Sequence, residues 1–207
     1  MIRAERNKYN VIGQNGVMSV DQISHALALL ACVSAAVAIV IATSWLVARF
    51  GMATQWWDTL RVTLAQVALP LATAIALVTV SGSLYYSEVA NFPPCRLCWF
   101  QRIFAYPLAP MLVLAILRQR DRAVRPYALV LCGIGGCISV YHMAIEAYPS
   151  IETGSCDLDN PCSTKWVDVF GVFTIPTMAL CSFVGIGVLL LAWPSDTRAR
   201  SQSADVD

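Results

Sequence analysis

The sequence predicts an all-α integral membrane protein with five spans, and three observations carry that prediction. Hydrophobic residues make up 57% of the chain and charged residues only 13%, about half the charged share of a soluble domain. The apolar residues gather in five long runs separated by short polar links. Those runs leave too little polar sequence to wrap them in water, which argues against a soluble fold that buries all five. A net charge of +1, with no basic stripe and no nucleic-acid motif, also argues against a nucleic-acid partner.

A helical span needs about 20 mostly apolar residues. Residues 26–47 and 62–86 contain no charge, with Arg49 and Arg61 just outside them. Residues 97–117 are apolar except for Gln101 and Arg102 near their start. Residues 126–145 and 169–194 are again uncharged. Backbone amides in lipid must find partners within their own segment, so each run is expected to be a helix. A cleaved signal peptide is a poor account of the first run, which is long and lacks a small-residue cleavage site after it.

Lys and Arg in short loops set the orientation. The link after the third run carries Arg118, Arg120, Arg122 and Arg125 and is expected to face the cytoplasm. Residues 87–96 and 146–168 then form two outer loops, while Arg49, Arg61, Arg198 and Arg200 fall inside. One feature resists: five spans put the N-terminal tail outside, yet it holds Arg3, Arg6 and Lys8. Translation from Met18 would remove all three; alternatively, residues 26–47 do not cross completely.

This orientation divides the eight cysteines. Cys95, Cys98, Cys156 and Cys162 lie in or beside the outer loops, on the oxidising side of a bacterial membrane. Cys32, Cys132, Cys137 and Cys181 lie within spans and are expected to be small apolar packing residues. Cys132 and Cys137 flank glycines suited to close helix contact. Tyr85, Tyr86, Trp99, Tyr148 and Trp166 share the outer level and suggest an interfacial aromatic belt.

Pro93 and Pro94 precede Cys95-Arg96-Leu97-Cys98, so the third helix should start near Cys95. Free amides and the helix dipole favour a thiolate at that position, and C-x-x-C spacing lets the two sulfurs bridge. Arg102 follows Cys98 by one turn on the same face. A guanidinium at that depth costs several kcal/mol unless paired, wet or snorkelling. It either reaches headgroup phosphates or holds a thiolate or quinone oxygen. Cys156 and Cys162 flank an Asn160-Pro161 turn. They can form either a permanent staple or a redox pair, and a C-x-x-C on the same face favours the redox pair. Asp157 and Asp159 disfavour thiolates there. Four thiolates could also bind zinc, but outer-loop placement argues against it and no metal is expected. Trp99 stands where a haem-attachment motif needs histidine. His142, near the outer end of the fourth run, is either an interfacial residue or a quinone hydrogen-bond partner.

The stretch Cys95-Arg96-Leu97-Cys98-Trp99-Phe100-Gln101-Arg102 resembles the disulfide bond formation protein B family. The likeness continues through His142, Tyr148-Pro149-Ser150, Cys156, Cys162 and Phe170-Gly171-Val172-Phe173-Thr174-Ile175-Pro176. It implies a four-helix transmembrane bundle, residues 59–195; the first apolar run is then an additional N-terminal transmembrane helix, residues 26–48, with tails 1–25 and 196–207. It further implies a bacterial inner-membrane oxidoreductase that reoxidises a DsbA-like thioredoxin-fold thiol oxidase and reduces ubiquinone or menaquinone. Carried over, Cys156 meets the partner and pairs with Cys162, and Cys95 pairs with Cys98. Cys98 contacts the quinone, Arg102 stabilises that contact, and His142 lines the same pocket. The extra helix and the short second loop depart from the best-known members. A vitamin K epoxide reductase-like enzyme is disfavoured because Cys95 and Cys98 precede the loop cysteines. A bundle with two structural disulfides is the remaining alternative.

Overall fold

The computed structural model describes residues 19–50, 54–118, 123–152 and 160–193. Met18 and the basic residues before it lie outside these, as do Arg120, Arg122, Cys156, Asp157, Asp159, Arg198 and Arg200. Five helices are long and apolar enough to cross a membrane. We label them α1 (Val20–Arg49), α2 (Thr54–Leu84), α3 (Arg96–Leu117), α4 (Val124–Ala147) and α5 (Ile175–Ala192). The described residues contain no strand, only one isolated bridge between Val169 and Phe173.

Each helix begins where the local chemistry permits. Ser19 caps α1, accepting from the Gln22 amide while the Gln22 side chain accepts from the Ser19 amide, a reciprocal pair that satisfies two otherwise orphan donors. Pro93 and Pro94 stay outside α3, as expected, whereas Pro107 and Pro110 lie within it and Pro70 lies within α2. Neighbouring helices let a membrane span tolerate such prolines. The fifth apolar run turns helical only at Ile175, not at Val169. Phe170 (φ 56°) and Gly171 (φ 71°) adopt left-handed backbone and make a tight turn, and Pro176 sits in the first turn of α5. Helix initiation is therefore displaced by six residues.

The largest core joins α2, α3, α4 and α5 around Leu69, Leu108, Leu112, Ile186, Leu190 and Trp193. Close approach between α4 and α5 needs a glycine, because a Cβ at Gly135 would meet the Phe183 ring. Cys132 packs in this core, in keeping with the expectation for it. Cys32 and Cys137 instead face outward and Cys181 is half-buried, so the packing role expected of all four span cysteines holds fully only for Cys132. Helical periodicity turned Cys32 and Cys137 away from the neighbours and left Cys181 at the edge of a second buried cluster.

Two members of the expected aromatic belt pack against the protein, Tyr86 buried and Trp166 half-buried. Tyr86 is buried and its hydroxyl donates to Ser24 Oγ at 3.1 Å. Trp166 stacks on Phe92, which stacks on Tyr86, with centroids 5.3 and 6.0 Å apart. Trp99 and Tyr148 remain exposed. A π-helical turn, Tyr85–Val89, ends α2 and leads through Asn91 (φ 53°) to Phe92. This turn carries Tyr86 inward.

Candidate functional site

The start of α3 places the first thiol. Cys95 is its N-cap, with extended backbone (φ −68°, ψ 170°), and its Sγ accepts the Cys98 amide hydrogen at 3.3 Å. Cys98 lies one turn later, and the two sulfurs are 3.0 Å apart as free thiols. The C-x-x-C spacing thus brings both to one helix end, where free amides and the dipole favour negative charge. The hydrogen bond with Cys98, helped by His142, holds the Cys95 thiol well below the usual range, against burial, which raises it. The lowering favours the thiolate, which is the nucleophilic form.

One side of the pair meets the second outer loop. Cys162 is fully buried, is held in a disulfide, and packs with Cys95, Leu97 and Ile145. Its amide donates to Glu152 Oε1 at 2.8 Å, and its carbonyl lies 3.0 Å from His142 Nε2. The same Nε2 is 3.6 Å from Cys95 Sγ. His142 is buried, and its Nδ1 has no hydrogen-bond partner among the described residues. Asn160 Nδ2 donates to the Pro93 carbonyl at 3.2 Å, and Trp166 stacks on Phe92. The second loop is thereby fastened to the residues just before Cys95.

The other side meets a cavity of about 270 Å³ whose lining includes Ser83, Cys98, Gln101 and Arg102. Arg102 is neither free nor stretched to the surface. Its Nε donates to Ser83 Oγ at 3.0 Å, its NH2 donates to the Ser83 carbonyl at 3.1 Å, and its guanidinium lies 5.2 Å from the Trp99 ring centroid. These contacts fix the charge beside Cys98 and leave further guanidinium donors available to a ligand. Gln101 donates to Ser139 Oγ at 3.0 Å and locks α3 to α4 behind the pair. The rest of the lining is mostly aliphatic, so the slot suits a ligand with a polar ring and an apolar tail.

Of the residues singled out from sequence, Cys95, Cys98, Arg102, His142 and Cys162 converge on one end of the bundle, while Cys156 lies outside the described residues. His142 stands on the Cys162 side of the thiol pair and is not among the cavity's lining residues. Ser83, Glu152 and Gln101 had no role assigned from sequence. Gln101 was visible as a polar residue inside an apolar run; Ser83 and Glu152 gave no comparable signal. Ligand atoms of Cys95, Cys98 and His142 lie within 4.8 Å of one another.

A helical membrane protein with a thiol pair between a disulfide and an apolar slot defines a membrane thiol–disulfide protein. A family model described as disulfide bond formation protein DsbB matches residues 65–193. The chain belongs to that family, and its role is in disulfide bond formation. It is 38% identical over 122 residues to the probable disulfide formation protein C of Bacillus cereus, covering 58% of this chain and 87% of that protein. It is 39% identical over 117 residues to the disulfide bond formation protein C of Bacillus subtilis, covering 56% and 84%. The probable disulfide formation protein of Oceanobacillus iheyensis is 38% identical over 118 residues, covering 56% and 81%. No solved structure matches the chain significantly.

Proposed function

We propose that this protein is a dithiol:quinone oxidoreductase of the bacterial cytoplasmic membrane that reoxidises a thioredoxin-fold thiol oxidase outside the cytoplasm. One observation carries the reading. The Cys95–Cys98 thiols stand between disulfide-bonded Cys162 on one side and the Arg102-lined cavity on the other.

In this reading Cys156 is the disulfide partner of Cys162. A thiolate of the reduced oxidase attacks Cys156, forming a mixed disulfide and releasing the Cys162 thiolate. The oxidase's second thiolate displaces Cys156, closing the oxidase's own disulfide and leaving Cys156 and Cys162 as a dithiol. That dithiol exchanges with a Cys95–Cys98 disulfide, re-forming the outer disulfide and leaving the inner pair reduced. His142 serves as a positioning residue, since its Nε2 spans the Cys162 carbonyl and Cys95 Sγ.

A quinone held in the cavity would supply the acceptor for two electrons and two protons, as the Cys95 and Cys98 thiols close to a disulfide. The residues present fit such a group: Cys98 borders the slot, Arg102 and Gln101 supply donors, and aliphatic side chains suit a prenyl tail. Arg102 orients the ring against Cys98, and the apolar walls exclude water from the exchange. Ubiquinone and menaquinone share these features.

The reading is tested by mixing purified protein with a reduced thioredoxin-fold oxidase and a soluble quinone while following quinone absorbance. Turnover should occur with wild type and vanish in Cys98→Ser and Cys156→Ser. Folded wild-type protein that reduces neither quinone class with any of several oxidases would make the disulfides structural and sink the proposal.

A further inference from the structure

The matched family region begins at residue 65, so α1 lies wholly outside it. This helix is nevertheless built into the bundle. Its buried stripe, Ser24, Ala28, Ala31, Ser34, Ala38 and Ile41, steps by threes and fours along one face. Small residues on that stripe allow close packing between membrane helices. Ser34 Oγ donates to the Cys181 carbonyl of α5 at 3.1 Å, and Ser24 Oγ accepts the Tyr86 hydroxyl hydrogen. A Cβ at Gly185 of α5 would meet Ser34 Oγ, and one at Gly82 of α2 would lie 3.0 Å from the Leu27 side chain. These contacts seat α1 along both α2 and α5.

The seat matters because of what it borders. The cavity that reaches Cys98 and Arg102 is also lined by Leu27, Leu30, Val33 and Val37 of α1. Those positions span ten residues, about 15 Å of helix, and none carries a polar side chain. Opposite them stand Ile75 and Val78 of α2 and Ala179 of α5. The slot is thus polar at the thiol end and mainly aliphatic along α1, where the one polar lining residue, Ser34, has its hydroxyl spent on the Cys181 carbonyl.

We propose that α1 is the wall that binds the prenyl tail of the quinone, giving this protein a preference for long-tailed quinones over bare headgroups. The inference rests on the quinone reading above. Leu30 and Val33 are 52% and 60% exposed, so changing them leaves the buried docking stripe intact. Trimming them in Leu30→Ala/Val33→Ala removes tail contacts, and Val33→Trp obstructs the slot.

The test compares KM for a long-tailed quinone with KM for a tail-less analogue in the full-length protein. In both variants the long-tailed KM should rise at least fivefold more than the tail-less KM. Val40→Ala, on the outward face and outside the lining, serves as control. In parallel, a quinone bearing a photoreactive tail is irradiated with wild-type protein and the adducts are mapped by mass spectrometry. Adducts on Val20–Arg49 that unlabelled quinone displaces, and phospholipid does not, are expected. Active wild type whose two KM values shift equally, or adducts confined to α2 and α5, would overturn the role of α1 and leave the relay standing. If wild type reduces no quinone, the relay fails by itself. The photolabel then still decides whether α1 binds the tail, and labelling that phospholipid displaces as readily also overturns the proposal.

Discussion

Cys95 Sγ accepts the Cys98 amide hydrogen at the start of α3, where backbone donors are unspent, and shares a further hydrogen bond with the Cys98 thiol 3.0 Å away. The Cys98 hydrogen bond is the largest cause of its lowered pKa, with His142 contributing less. Lowering means that the thiolate persists as pH falls below the ordinary thiol range and is lost only near the lowered value. In reduced protein, Cys95 alkylation by iodoacetamide, read by mass spectrometry, should therefore stay pH-independent through neutrality. Burial slows the reaction at every pH alike, so the midpoint still reports ionisation. Cys98→Ala should move that midpoint upward by about one unit or more, and an unmoved midpoint would assign the lowering to the helix end and His142 instead. The C-x-x-C and Arg102 were legible in sequence because spacing alone puts them on one helix face. The station of His142 was not, because it is set by the Cys162 carbonyl, 20 residues away along the chain.

Among the elements, the α4–α5 contact offers a controlled comparison within a single helix. Gly135 faces the Phe183 ring with no room for a Cβ, whereas a Cβ at Gly133 meets nothing within 4 Å. Gly135→Val should destabilise the protein by about 2 kcal/mol through overpacking. Gly133→Ala should be neutral or stabilise it by up to about 1 kcal/mol through helix propensity. Thermal unfolding in detergent separates the two, and equal shifts would mean that α4 does not present Gly135 to α5. All five helices could be read from apolar runs, since lipid forces the backbone to satisfy itself. Their inward faces could not. The α1 stripe of serines and alanines, and the inward turn of Tyr86, depend on which neighbour arrives, and hydrophobicity is similar all round a membrane span. The late start of α5 was likewise hidden, because Val169 to Phe173 are as apolar as the helix that follows.

For the whole molecule, the two ends of the bundle differ in chemistry. At one end Cys95, Cys98, Cys162 and His142 meet, and α1 begins there, with His25 edge-on to Phe170 at 5.6 Å. At the other end lie Arg49, Arg118 and Arg125, the last donating to the Leu191 carbonyl at 3.0 Å near the close of α5. Cations near cytoplasmic helix ends set orientation, so the arginine end should face the cytoplasm and the cysteine end the oxidising side. The N-terminal basic residues oppose this for α1, yet α1 is 30 residues long, about 45 Å as a helix, and runs from the cysteine end to the arginine end. Its packing against α2 and α5 should then outweigh the local charge. Single cysteines introduced as Ser19→Cys, Ser163→Cys and Arg118→Cys test this with a membrane-impermeant maleimide on intact cells. Ser19→Cys and Ser163→Cys should label without permeabilisation, and Arg118→Cys only after it. If Ser19→Cys labels only with Arg118→Cys, α1 does not cross, its contacts with Tyr86 and Cys181 cannot form as described, and the tail-binding wall is lost with them.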